Sequence, residues 1–162
     1  MPVQKIQKIS GLKKILAQLR AQGKKIVFTN GCFDILHVGH IRYLRKAKSL
    51  GNILIIGMNT DRSVKTIKGD KRPIVPEKER AEVLSALEFV DYVIFFDEPD
   101  PLDLIAALKP DVLVKGADWT KDRIIGREVV ENRGGRVVRI PTVPGASTTG
   151  LIEKIKEAYG KG

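Results

Sequence analysis

The chain has 162 residues, 43% of them hydrophobic and 30% charged, and its formal net charge is +10. This length and composition indicate one folded domain, and no apolar run approaches the ~20 residues that a membrane span requires. Seven basic residues precede the first acidic one, Asp34, without interleaved aromatic residues, so we expect a solvated helix face and neither nucleic acid nor a membrane as partner.

The first 24 residues are predicted to form a helical extension that packs on the domain formed by residues 25–162. Ser10 is expected to cap this helix, apolar residues recur on one of its faces, and Gly23 ends it. No secretory segment opens the sequence, and Cys32 is its single cysteine. We therefore expect a cytoplasmic protein in which Cys32 is a reduced, partly buried thiol and not a nucleophile.

Strand-length apolar runs alternate with helical patterns along the rest of the chain. Five strands are predicted at residues 25–30, 53–59, 90–96, 111–115 and 136–140. Helices are predicted at about 37–50, 76–89 and 122–132, after residues 100–101, and from a Ser147 cap to Tyr159, whereas residues 61–76 are expected to be a polar connection, mobile without ligand. Continuous apolar strands separated by helices indicate an α/β fold with a doubly wound, Rossmann-like, five-stranded parallel sheet.

Polar residues follow four of these strands, at residues 30–34, 59–61, 115–119 and 142–149. Ligands of doubly wound sheets bind beyond the carboxyl ends of the strands, so these segments are expected to converge at one rim. Residues 30–40 are Asn-Gly-Cys-Phe-Asp-Ile-Leu-His-Val-Gly-His, which places His37 and His40 on one side of a predicted helix start. Free backbone N–H groups and the helix dipole at such a start favour phosphate.

Two motifs give the chain a specific family resemblance. HxGH after a strand, preceded by GxFD, resembles the first signature of the nucleotidylyltransferase superfamily, and Gly-Ala-Ser-Thr-Thr at 145–149 resembles its second. The segments TNGCFDILHVGH, NTDRSVKTIKGDKRPI, LVKGADW and PGASTTGLI together resemble the adenylyltransferase domain of ADP-heptose synthesis across residues 25–155.

That resemblance implies transfer of AMP from ATP to D-glycero-β-D-manno-heptose 1-phosphate, with Mg²⁺, giving ADP-heptose and pyrophosphate for lipopolysaccharide core synthesis. It also implies small-molecule substrates and a homodimer. Some members are fused to a heptose kinase, so a chain of this length is expected to be the stand-alone form and to depend on a separate kinase.

The residues and the resemblance together predict three groups of site residues, and no cluster of metal ligands. The catalytic group is His37, His40 and Lys68. The nucleotide-binding group is Asn30, Gly31, Cys32, Phe33, Gly39, Lys115, Gly116, Asp118, Trp119, Ser147, Thr148 and Thr149, although ordinary packing accounts for Trp119 equally well. The group that binds phosphate or the acceptor is Asp34, Asn59, Asp61, Lys71, Arg72 and Arg80.

Two other functions are compatible with the sequence. Glycerol-3-phosphate cytidylyltransferases, which use CTP, share both signatures, but their RTxGISTT run has an arginine where this chain has Thr142. Arg139 or a loop lysine could supply that charge instead. The third function is a nucleotide-sensing or nucleic-acid-binding module that uses the basic N-terminal helix.

Overall fold

The computed structural model describes residues 2–160. Within them, five strands are formed by β1 Ile26–Gly31, β2 Ile53–Asn59, β3 Tyr92–Phe96, β4 Val112–Gly116 and β5 Arg136–Ile140. The α-helices are α1 Ile9–Ala21, α2 Val38–Lys48, α3 Asp61–Lys68, α4 Glu77–Ala86, α5 Leu102–Leu108, α6 Arg127–Glu131 and α7 Thr148–Tyr159, with short 3₁₀ helices at Pro2–Lys5 and Lys121–Arg123. None of the described helices is long and apolar enough to cross a membrane.

The strands form one parallel sheet in the order β3-β2-β1-β4-β5. The chain moves outward from β1 to β3, then returns to place β4 on the other side of β1. This reversal creates a switch point between β1 and β4, where open α/β sheets bind their ligands. The predicted doubly wound, Rossmann-like fold is confirmed.

Helices cover both faces of the sheet because side chains alternate along each strand. On one face, Val27 of β1 lies in a core that includes Leu44 of α2 and Leu84 of α4. On the other face, Phe28 of β1 lies in a core that includes Leu16 of α1. All five side chains are fully buried, which explains why the predicted strands are continuously apolar.

The N-terminal residues share the core of the domain. Leu12 and Leu16 of α1 are fully buried against the sheet, and the backbone N–H of Gln7 donates to the carbonyl of Val93 at 2.9 Å. Arg20 donates to the carbonyls of Leu108 and Lys109 at the end of α5. At least one of the seven early basic residues therefore fastens α1 to the domain.

Three local predictions differ from the structure. Helix α1 begins at Ile9 with Lys8 as its N-cap and no side-chain cap bond, so Ser10 lies inside the helix. Residues 122–132 are not one helix, because Gly126 has a φ of 87° and separates a 3₁₀ turn from the five-residue α6.

Residues 61–68, predicted as part of a polar connection, form helix α3. The hydroxyl of Thr60 accepts a hydrogen bond from the backbone N–H of Ser63 at 3.2 Å and caps the helix. Ser63 and Val64 are buried, and the amide of Asn59 donates to the Ser63 hydroxyl at 2.9 Å. Val64 and Ile67 are the two apolar side chains of α3, and the many Lys and Arg residues around them favoured the interpretation as a polar connection.

Candidate active site

A cleft of about 570 Å³ lies at the switch point of the sheet. Its walls come from the segment after β1, the end of β4 and the first residues of α7. An adjoining lobe of about 300 Å³ shares much of this lining and adds Gly39, Tyr43, Gly116, Thr142 and Val143. The combined space is of the size that small-molecule and cofactor sites have.

His37 and His40 form a reciprocal cap at the start of α2. Nδ1 of His37, the N-cap residue, accepts from the backbone N–H of Gly39 at 3.1 Å. The backbone N–H of His37 in turn donates to Nδ1 of His40 at 3.3 Å, and the rings stack with centroids 3.9 Å apart. Because each Nδ1 accepts a hydrogen bond, the proton of each neutral imidazole lies on Nε2.

Burial keeps both imidazoles neutral at physiological pH. It lowers the pKa of His40 to about 4, with a smaller contribution from neighbouring His37, and it also lowers the pKa of His37. Both rings line the cleft, and no hydrogen bond to either Nε2 occurs within residues 2–160. The pair therefore offers two Nε2–H donors of fixed tautomer to a ligand.

Gly39 makes this arrangement sterically possible. A Cβ atom at position 39 would lie 2.8 Å from the His37 ring and 3.2 Å from Cβ of Ala146. The first distance is too short for a real Cβ contact, so any side chain would displace the His37 ring. The second shows that the segment before α7 approaches α2 at the same point.

Helix α7 brings a second helix start to the cleft. The hydroxyl of Ser147 accepts from the backbone N–H of Gly150 at 2.9 Å, and Thr148 donates to the carbonyl of Ile35 at 3.0 Å. Ser147, Thr148 and Thr149 line the same cleft as the two histidines. The two sequence signatures thus converge, and the partial positive charge of both helix starts is available to an anion.

Lys115 links the ends of β1 and β4. Its Nζ donates to Oδ1 of Asn30 at 3.2 Å and lies 5.1 Å from the centre of the Trp119 ring. Burial lowers the pKa of Lys115, and the charge of Asp118 opposes that shift. Trp119 both lines the cleft and packs against a cation, so the two interpretations of this residue are compatible.

Close contacts also shape the loops after β1 and β4. A Cβ at Gly116 would lie 2.4 Å from Oδ1 of Asp118, which lines both parts of the cleft. Phe33 has a φ of 49°, in the left-handed region, and its ring would lie 3.0 Å from a Cβ at Gly31. The segment 31–33 is therefore a tight turn, and its three residues line the cleft.

Asp34 has a mainly structural role, because its carboxylate accepts hydrogen bonds from other parts of the protein. Asp34 is only 4% exposed. Its carboxylate accepts hydrogen bonds from Nε of Arg72 at 2.5 Å and from the backbone N–H groups of Ile74 and Val75 at 2.9 and 2.8 Å. Burial opposes ionisation most strongly, but these donors together outweigh it and hold the pKa of Asp34 below its ordinary value. Asp34 thereby places Arg72 in the cleft lining.

The other predicted phosphate-binding residues divide into two groups. Asn59 and Arg72 line the cleft, and so does Lys68 of the predicted catalytic group. Lys71 is exposed and lies outside the lining. Asp61 and Arg80 also lie outside the lining. Arg80 is only 1% exposed, and its N–H groups are bonded to protein oxygens, so its position does not provide the direct phosphate contact that the sequence suggested.

One part of the cleft was absent from the sequence prediction. The segment Pro99-Asp100-Pro101 after β3 lines it, together with Ile67 of α3 and Ile125. The rule that ligands bind beyond strand ends applied to β3 as well, and it would have identified the proline segment. Ile67 was missed because residues 61–76 were expected to be a polar connection rich in Lys and Arg.

Carboxylates in the cleft are few and separate. Within residues 2–160, no group of three or more His, Cys, Asp and Glu side chains is arranged to hold a metal ion. Asp34, Asp100 and Asp118 line the cleft, and Asp34 is already bonded to Arg72 and to backbone N–H groups. Such a donor set fits Mg²⁺ bound to a triphosphate, since this ion typically takes one or two carboxylates together with substrate phosphates.

Comparison with known proteins identifies the family of the chain. Residues 28–155 match the family described as Cytidylyltransferase-like. The chain is 54% identical over 157 residues to the "Bifunctional protein HldE" of Geobacter sulfurreducens and 55% identical to that of Geobacter metallireducens, covering 97% of this chain and 32% of each relative. It thus spans about a third of the length of these relatives.

A solved structure gives an independent likeness. The lipopolysaccharide core biosynthesis protein from Thermoplasma volcanium GSS1 superposes with a TM-score of 0.61 and 31% sequence identity, covering 75% of this chain and 98% of that one. The chain therefore belongs to the cytidylyltransferase-like family of nucleotidyltransferases, as its two signatures predicted.

Proposed function

We propose that this protein transfers AMP from ATP to D-glycero-β-D-manno-heptose 1-phosphate, forming ADP-heptose and pyrophosphate in lipopolysaccharide core synthesis in the cytoplasm. One observation carries the chemistry: two neutral imidazoles with free Nε2–H groups share a cleft with the start of α7 and with Lys68. The choice of substrates is supported by the four sequence segments and by the name of the Thermoplasma relative.

In this reaction, a phosphate oxygen of the acceptor attacks the α-phosphorus of ATP. A new oxygen–phosphorus bond forms, the bond from the α-phosphorus to the oxygen bridging the β-phosphorus breaks, and pyrophosphate leaves with the electron pair. The acceptor is already an anion, so no general base is needed, and positioning and charge stabilisation carry the catalysis.

Cys32 takes no covalent part in this scheme. Burial raises the pKa of its thiol, although the nearby charges of Lys68, Arg80 and Arg72 oppose that shift. A thiol with a raised pKa is mostly protonated at neutral pH and is a poor nucleophile. The turn that contains Cys32 lines the cleft, and its backbone N–H groups are the part assigned to the phosphates.

Different residues of the cleft neutralise the negative charge on different phosphate groups. His37 and His40 donate through Nε2–H to the α-phosphate as negative charge builds on its oxygens. The start of α7, with Ser147 and Thr149, takes the β- and γ-phosphates. Lys68 and Arg72 neutralise the triphosphate or the acceptor phosphate, each contact being worth on the order of 1.5–3 kcal/mol.

Asp100 and Asp118 line the cleft and would hold Mg²⁺ bound to the nucleotide, and the ion would supply further neutralisation of the triphosphate. The remaining contacts depend on the protein alone. Removal of divalent cations by EDTA should abolish turnover, and restoring Mg²⁺ should recover it.

The nucleotide base is assigned to the lobe that Lys115, Trp119 and Thr142 line. Thr142 stands where cytidylyltransferases of glycerol 3-phosphate have an arginine, and Arg139 is tied to the carbonyl of Trp119 at 3.2 Å. This difference favours ATP and a sugar phosphate over CTP and glycerol 3-phosphate. The family description, Cytidylyltransferase-like, covers nucleotidyl transfer in general, so both pairs of substrates are tested together.

The deciding experiment measures pyrophosphate release for each pair of ATP or CTP with heptose 1-phosphate or glycerol 3-phosphate. Release confined to ATP with heptose 1-phosphate is expected. Release with CTP and glycerol 3-phosphate would establish the alternative. No release with any pair, together with salt-sensitive oligonucleotide binding that charge reversal of Lys13 and Lys14 weakens, would establish a binding module.

The homodimer and the separate kinase are further parts of the proposal, testable by sedimentation and by assay of heptose phosphorylation.

A further inference from the structure

We propose that Arg80, buried beneath the cleft, is a positioning residue that holds the ends of β1 and β2 at the spacing the phosphate-binding turn requires. This role rests on the proposed function, because it concerns the same cleft. Arg80 lies on α4, outside both parts of the lining. It would act through the backbone that it binds and not by touching substrate.

The guanidinium group of Arg80 joins three separate segments. One terminal nitrogen donates to the carbonyl of Cys32 at 2.6 Å and to that of Asn59 at 2.9 Å. Nε donates to the carbonyl of Val75 at 2.9 Å, and the other terminal nitrogen donates to Oδ1 of Asp61 at 2.7 Å. One planar guanidinium group thus joins the turn after β1, the end of β2 and the loop before α4.

Each bonded segment carries a residue of the cleft. The carbonyl of Cys32 belongs to the turn after β1 that lines the cleft, and Asp61 begins α3, at whose end Lys68 lines the cleft. Val75 is also bound by Asp34, the residue that holds Arg72. Movement of the guanidinium would therefore shift several phosphate contacts at once.

The shape of the arginine fork is necessary for these contacts. Guanidinium presents five N–H groups in a fixed plane, whereas the ammonium of lysine offers three donors from one point. A lysine at position 80 keeps the positive charge but cannot reach the four acceptors together. Arg80→Lys therefore separates the geometry of the group from its charge.

Cys32 provides a direct report on the turn. It is the single cysteine of the chain and lines the cleft, so the rate at which iodoacetamide alkylates the folded protein measures access to this turn. Because Arg80→Lys keeps a cation near the thiol, its thiolate fraction should change little. A change in alkylation rate then reports displacement of the turn.

The experiment compares wild type, Arg80→Lys and the control Leu84→Val. Leu84 lies one turn further along α4, is fully buried and does not line the cleft. The control therefore lowers stability without removing any hydrogen bond of the Arg80 guanidinium group. Alkylation is measured without substrate at fixed pH, kcat and KM by pyrophosphate release, and stability by thermal unfolding.

For Arg80→Lys we expect alkylation about tenfold faster and kcat about tenfold or more lower, since hydrogen bonds to charged groups are lost. Leu84→Val should keep wild-type alkylation and kcat even though it unfolds at a lower temperature. An unchanged alkylation rate, an unchanged kcat, or changes equal to those of the control would each overturn the proposal.

Should Arg80→Lys not accumulate as folded protein, Asp61→Asn carries the test, because it weakens the ion pair that orients the guanidinium. An increase of about threefold in alkylation is then expected from a partly exposed pair, and an unchanged rate would overturn the role. Alkylation requires no substrate. Failure of wild type to release pyrophosphate would therefore refute the proposed reaction without deciding the role of Arg80.

Discussion

Replacing His40 by alanine tests the central claim about the cleft. The change removes one Nε2–H donor and also the Nδ1 atom that accepts from the backbone N–H of His37. Loss of a single preorganised donor to a developing oxyanion costs roughly 10²- to 10³-fold in kcat. Loss of a cap interaction costs about 0.5–2 kcal/mol of stability, which a stable domain tolerates.

The assay follows pyrophosphate release under saturating ATP and acceptor, with thermal unfolding of the same samples. His40→Asn is the companion variant, since the side-chain oxygen of asparagine takes the place of Nδ1 as acceptor from the backbone N–H of His37, whereas its shorter amide cannot replace Nε2–H. We expect His40→Asn to recover stability without recovering turnover. A folded His40→Ala protein that keeps near-normal kcat would refute the donor role.

Further predictions concern pH, charge and space. The fold lowers the pKa of His40 from its ordinary value of 6.5 to about 4, so protons bind the unfolded state more tightly than the folded one. The free energy of unfolding should therefore be at its full value above about pH 6.5 and should fall as the pH drops towards 4. Denaturation of His40→Ala should show a smaller loss of this free energy over the same pH range. Lys68→Met should raise KM by about tenfold or more with little change in unfolding temperature, whereas Lys65→Met, on the same helix but outside the cleft, should leave KM unchanged. Gly39→Ala should lower kcat by about tenfold or more by displacing the His37 ring, whereas Gly11→Ala, whose Cβ meets only a glutamine side chain at 3.2 Å, should leave kcat unchanged.

The apolar strands and the strand-end rule together predicted where the cleft would lie. Continuous apolar runs such as residues 53–58 can be recognised because both faces of the sheet are covered, which removes polar residues from the pattern. The end of each parallel strand then meets the same edge of the sheet. Asn30 and Lys115, 85 positions apart, could therefore be placed together from the sequence alone, and the structure joins them by a hydrogen bond.

The roles of charged residues were harder to predict, because charge alone does not reveal burial. Lys68 and Arg80 both follow the second strand and both carry positive charge, yet only Lys68 lines the cleft. What buries Arg80 is a set of backbone carbonyls that converge only after β1, β2 and the loop before α4 have assembled. No local sequence pattern specifies such a convergence, so long-range backbone contacts decide which cation is free to meet a ligand.

The histidine pair shows how helix capping and ligand binding depend on each other. Each Nδ1 faces a backbone N–H, a group that can only donate, so a proton on Nδ1 would break the cap. The cap and burial therefore act in the same direction, keeping the rings neutral and Nε2 protonated. A phosphate that accepts from Nε2–H needs no change at Nδ1. Ligand binding and an intact α2 start are thus compatible, and donors of fixed orientation are available before the substrate arrives.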